Sequence, residues 1–204
     1  MINETEKTNA LQDLIKNHIL PYVEQGITRI DERYKNDKEY IEGELIASFQ
    51  QLCKRAITLQ SHGKKGNIKY IYISFLRTSI MDNTCTYRLD AYDEKWFLDK
   101  EECYSLWTPD FIYASLFSHM EKLEEKIKHY GRAITLMDIE KIKFFEAEKY
   151  HILTLEFVRE ILPRLLESSV FKDMEKAEDL CIIMGEYMDK GEVLYIGNQS
   201  KELT

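Results

Sequence analysis

Three histidines and a glutamate are the first candidates for chemistry in this chain. His18, His119 and His151 each fall on the apolar stripe of a different predicted helix, and Glu148 precedes His151 by one turn on the same face. Glu-x-x-His on a bundle helix is half of a carboxylate-bridged metal arrangement, because both side chains project to one side and offer oxygen and nitrogen donors. His18, His119, Glu148 and His151 would then converge on iron, zinc or manganese. The second Glu-x-x-His that such a site uses is missing from the sequence. The alternative reading makes each histidine a core residue, hydrogen-bonded to a carbonyl or carboxylate.

A second constellation lies in a β-prone stretch. Pairing Met81 with Thr84 across an Asp82-Asn83 turn puts Arg77 opposite Arg88, with Asp90 as the diagonal neighbour and Tyr92 farther along the same face. Two facing guanidiniums suit bidentate binding of carboxylate or phosphate, so Arg77, Arg88, Asp90 and Tyr92 outline a small anionic-ligand pocket. A structural ion-pair cluster, or a register slipped by one residue, is the competing explanation.

Other clusters carry weaker chemistry. Asp90, Asp93, Glu94, Asp99, Glu101 and Glu102 concentrate negative charge but lack the glycine and ligand spacing of a calcium loop, and so read as a solvated acidic edge. Gly63-Lys64-Lys65-Gly66 runs from a helix toward a strand, the reverse of a phosphate-cradling loop, and reads as solvated. No G-x-S-x-G stands in the chain, and no serine or cysteine is marked out as a nucleophile. Trp96, Trp107 and Tyr104, with Phe97 and Phe111, cluster in sequence. They would either pack where sheet meets helix or present an aromatic patch to a partner protein.

The elements that must position these residues follow from periodicity. Leu11, Leu14, Ile15, His18, Ile19 and Tyr22 form a helical stripe, which Pro21 should kink or split. Val23, Ile27, Ile30 and Tyr34 continue a stripe to a polar break at Lys35–Lys38, and a further helix carries Ile41, Leu45, Phe49, Leu52 and Ala56. A β-meander spans residues 68 to 99, with strands at Ile68–Leu76 and Tyr87–Tyr92 and a short third at Trp96–Leu98. After a loop from Lys100 to Trp107, Thr108 as a cap, Pro109 at the first helical position and the early acid Asp110 favour helix initiation, and Gly131 suits that helix's end. Asp138 would cap a helix running past Pro163, and Ser168 or Ser169 one bearing Val170, Met174, Cys181 and Met188. Val193–Ile196 is β-prone and placed to join the sheet, with Asn198–Thr204 as a loose tail.

The fold expected is α+β: a three- to four-stranded antiparallel β-meander packed against a layer of long α-helices. All 204 residues would form one domain, helical over 10–60 and 109–190, with the short strand at 193–197. A net charge of -8 opposes attraction to nucleic acid or anionic lipid, and no apolar run is long enough to span a membrane. The first residues lack the basic patch and apolar run of a signal peptide. Cys53, Cys85, Cys103 and Cys181 form no C-x-x-C pair and read as free thiols, so a cytoplasmic protein is expected. No cofactor is implied. Missing catalytic signatures and an acidic, aromatic-bearing surface favour a non-enzymatic accessory or regulatory protein acting through a protein partner. The alternatives are an anion sensor using the arginine pair and a metal-dependent enzyme using the histidines and Glu148.

Overall fold

Alternation along Ile68–Phe75 makes this segment (β1) the centre of the sheet, because Ile71, Ile73 and Phe75 all turn to one side and are buried there. The computed structural model describes residues 4–197, so the expected tail at 198–204 lies outside the described residues. β2 (Tyr87–Tyr92) lies antiparallel to β1, and β3 (Tyr104–Trp107) antiparallel to β2. On the other side of β1, β4 (Lys176–Glu186) runs parallel to it and β5 (Gly191–Ile196) antiparallel to β4. The sheet is therefore five-stranded and mixed, in the order β3-β2-β1-β4-β5. The α+β class holds, but the purely antiparallel meander of three or four strands does not.

Two local rules explain the difference. In β4, Leu180, Ile182 and Met184 point to the core at a spacing of two, which overrides the looser helical spacing of Val170, Met174, Cys181 and Met188. Only Ser169–Asp173 (α6) of the last expected helix is helical. The third strand is also displaced. Trp96–Leu98 is a 3-10 turn, since the Asp93 carboxylate accepts from the Lys95 amide at 2.9 Å and its carbonyl from the Trp96 amide at 3.1 Å. Pairing resumes at Tyr104, inside the expected loop.

The helices form the second layer. α1 (Glu4–Leu14) leads through a π-turn at Ile15–Ile19 into α2 (Leu20–Ser61). The π-turn sits just before Pro21, whose ring would clash with the carbonyl of Asn17 in a regular helix. α2 crosses the expected break at Lys35–Lys38 with only a kink at Asp37, and Lys35–Asp31 and Lys38–Glu42 pairs bridge adjacent turns there. α3 (Arg77–Met81) fills the connection from β1 to β2.

α4 (Asp110–Lys126) starts after Pro109 without the expected threonine side-chain cap. Gly131 ends its 3-10 extension at a positive φ of 58°, as expected. α5 (Leu136–Glu167) is capped by Thr135, with Asp138 completing the capping box instead of serving as the cap. Asp138 is held at a pKa of about 2: burial opposes this, but bonds from Lys7 and Thr135 outweigh it. The inward sheet face and the buried stripes of α2, α4 and α5 share one apolar cluster. No helix among the described residues is long and apolar enough to cross a membrane.

Candidate functional site

The structure brings His18 and His119 together and gives His151 other partners. His119 donates Nε2–H to the His18 carbonyl at 2.6 Å and stacks on Tyr22 with ring centroids 4.3 Å apart. Burial lowers its pKa. The carbonyl it meets belongs to the π-turn, so His119 ties α4 to the irregular part of the first helix. His151 faces the sheet instead, its Nδ1 2.8 Å from the Tyr87 hydroxyl and its ring stacked on Phe75. Burial pushes its pKa down to about 4, which keeps it neutral near pH 7. Glu148, one turn earlier, is exposed and reaches Arg77 at 3.5 Å. Among the described residues no group of three or more His, Cys, Asp or Glu is placed to hold a metal ion.

The arginines also separate. Ser74, not Arg77, lies opposite Arg88, because Arg77 belongs to α3. The Ser79 hydroxyl donates to the Leu76 carbonyl at 2.6 Å and accepts from the Thr86 amide at 3.1 Å, which fastens this helical connection in place of a tight hairpin. Arg77 pairs with Glu186 at 3.2 Å. The Nε of Arg88 lies 2.9 Å from both oxygens of Asp90, and its guanidinium sits 4.1 Å from the Tyr104 ring centroid. Burial raises the pKa of Asp90 although Arg88 opposes that, and burial likewise raises Tyr92. Each guanidinium thus already holds a carboxylate.

Of the aromatic residues, Trp107 is core, stacked on Phe157 with centroids 5.9 Å apart. Tyr104 lies on the outer sheet face, where Arg55 also approaches its ring and donates to its carbonyl. Trp96 packs on Tyr70 and Phe97 on Tyr92, so the segment after β2 folds across one end of that face. Lys65, expected in a solvated loop, is buried with its ammonium 2.5 Å from Asp99 and 2.6 Å from the Glu101 carbonyl. The acidic edge is in this way partly neutralised and tied to the end of α2.

The feature that sequence reasoning missed is an open groove of about 640 Å³ between α2, α4 and α5. Its floor is aromatic: Phe111 and Phe157 meet edge to face at 5.1 Å, and Tyr34 stacks on Phe111 at 6.1 Å. Ile27 and Ile30 form the α2 wall, and Leu153 the α5 wall. Asp31 stands on one rim, and Glu156, Arg159 and Glu160 on the other. The Tyr34 hydroxyl is spent on Glu42 at 2.7 Å, while Arg164 holds the same carboxylate from the other side. The one available signal was the stripe Val23, Ile27, Ile30 and Tyr34, which looked like core. Ile27, at 49% exposure, shows that this stripe is only half covered.

Comparisons with protein-family models, with curated proteins and with solved structures gave no match.

Proposed function

We propose that this chain is a cytoplasmic accessory or regulatory protein that acts by binding a partner protein, and that the groove between α2, α4 and α5 receives an apolar segment of that partner. One observation carries the reading: above a floor of nearly buried Phe111 and Phe157, the apolar α2 wall is left uncovered between charged rims, with Ile27 exposed and Ile30 and Tyr34 half-buried. An apolar centre with a polar rim is the anatomy of a protein interface. Convergent free polar groups, which orient small ligands, do not line the floor, because its one hydroxyl is already bonded. Four free cysteines, three of them buried, agree with a reducing compartment.

The test compares proteins co-purified from the native host by the wild type and by Ile27→Glu and Ile30→Glu. These side chains are exposed or half-exposed, so the fold should survive, as circular dichroism would verify. Loss of a specific partner from both variants supports the reading. Recovery of the same proteins by all three overturns it.

A further inference from the structure

Along the outward side of α5, Lys141, Phe145, Glu148, Ile152 and Glu156 recur at intervals of four, three, four and four, and so fall on one line. All five are exposed, and the two large apolar residues are 62% (Phe145) and 61% (Ile152) open to solvent. Met81 of α3, equally exposed, and half-buried Phe144 widen the strip on one side. The line is also polarised. Lys141 stands at its start and Glu156 at its end.

We propose that this face is a self-association surface, on which a second copy of the chain docks antiparallel about a two-fold axis passing between Glu148 and Lys149. In that register Phe145 meets Ile152 of the second copy, Lys149 meets Glu148, and Lys141 meets Glu156; the symmetry makes each contact twice. A parallel arrangement would instead set Lys141 against Lys141 and Glu156 against Glu156. The axis is prepared within each chain, because Lys149 is already held by the buried carboxylate of Glu146 at 2.7 Å. Leu153 and Phe157, which border the groove, lie farther round the helix, so the two surfaces share only Glu156, on the groove's rim.

Sedimentation velocity on the purified chain tests the pairing. The wild type should sediment as a reversible dimer, and Ile152→Asp as a monomer with an unchanged circular dichroism spectrum. Lys141→Glu and Glu156→Lys should each weaken the dimer about tenfold or more, since each introduces two like-charge contacts. An equimolar mixture of these two variants, or the double variant, should recover it. Residues 141 and 156 are about 22 Å apart along one helix, so recovery cannot arise within a chain. A monomeric wild type overturns the proposal, as does a dimer indifferent to Ile152→Asp or a mixture that does not recover. A foreign protein occupying this face would leave the purified chain monomeric and counts against it in the same way.

Discussion

The hydroxyl of Tyr87 on β2 lies 2.8 Å from Nδ1 of His151 on α5, and it is also 2.9 Å from the hydroxyl of Tyr113 on α4. A short polar chain therefore crosses the boundary between sheet and helices, with Phe75 stacked on the imidazole. The two hydroxyls and the imidazole Nδ1 are each partnered within it, so the cluster specifies how the two layers meet.

His151 makes stability depend on acid. Its folded pKa, depressed by burial to about 4, lies below the value of about 6.5 for an unfolded chain, so the unfolded state binds the proton first. The contribution is complete above about pH 6.5 and is lost as pH falls toward 4, about 3 kcal/mol in all. His119 is shifted in the same direction and adds to the slope. Urea melts of His151→Gln should show a flatter decline across this window than the wild type. An identical slope would locate the titrating group elsewhere.

Where local chemistry decides, the residues announced the structure. Gly131 ends its helix, Ile68–Phe75 and Tyr87–Tyr92 are strands, and Thr135 with Asp138 forms a capping box that the sequence half revealed. Where long-range pairing decides, they did not. The β1–β4 ladder joins residues more than a hundred positions apart, and the spacing of two at Leu180, Ile182 and Met184 marks a strand without telling that it pairs parallel to β1. The candidate groove was legible only as a stripe. Whether Ile27 and Ile30 face core or solvent depends on how far α5 stands from α2, which tertiary packing sets.

Ser105 offers a gain in stability. Its hydroxyl is buried on the helix-facing side of β3, beside Leu89, and is the only buried side-chain polar atom among the described residues without a hydrogen-bond partner. Ser105→Ala removes that desolvation cost and should raise stability by about 1 kcal/mol, read from the urea midpoint at constant m-value. A lowered midpoint would mean that the hydroxyl finds a partner in solution.

Lys65 ties the segment after β2 to the end of α2. Lys65→Met leaves the Asp99 carboxylate buried without its cation, a loss of about 3–5 kcal/mol. Asp99 also accepts from the amides of Asp93 and Glu101, so a double Lys65→Met, Asp99→Leu variant should recover little. Hydrogen exchange should show faster opening of residues 93–101 before the rest of the sheet. Unchanged protection there would separate the ion pair from the packing of Trp96 and Phe97.

Two glycines with the same missing side chain should respond in opposite senses. At Gly185 a Cβ would lie 2.2 Å from the Lys190 carbonyl oxygen and 2.5 Å from the Gly191 Cα. Both are backbone atoms of the β4–β5 turn, which is held by the Tyr72 hydroxyl donating to the Asp189 carbonyl at 3.1 Å, so the turn cannot yield cheaply. Gly185→Ala should cost about 2–3 kcal/mol. At Gly43, inside α2, a Cβ meets nothing within 4 Å, and Gly43→Ala should stabilise by up to about 1 kcal/mol through helix propensity and a less flexible unfolded chain. Thermal melts of the pair against wild type read both signs at once. Equal shifts would mean that the β4–β5 turn reorganises around the methyl group.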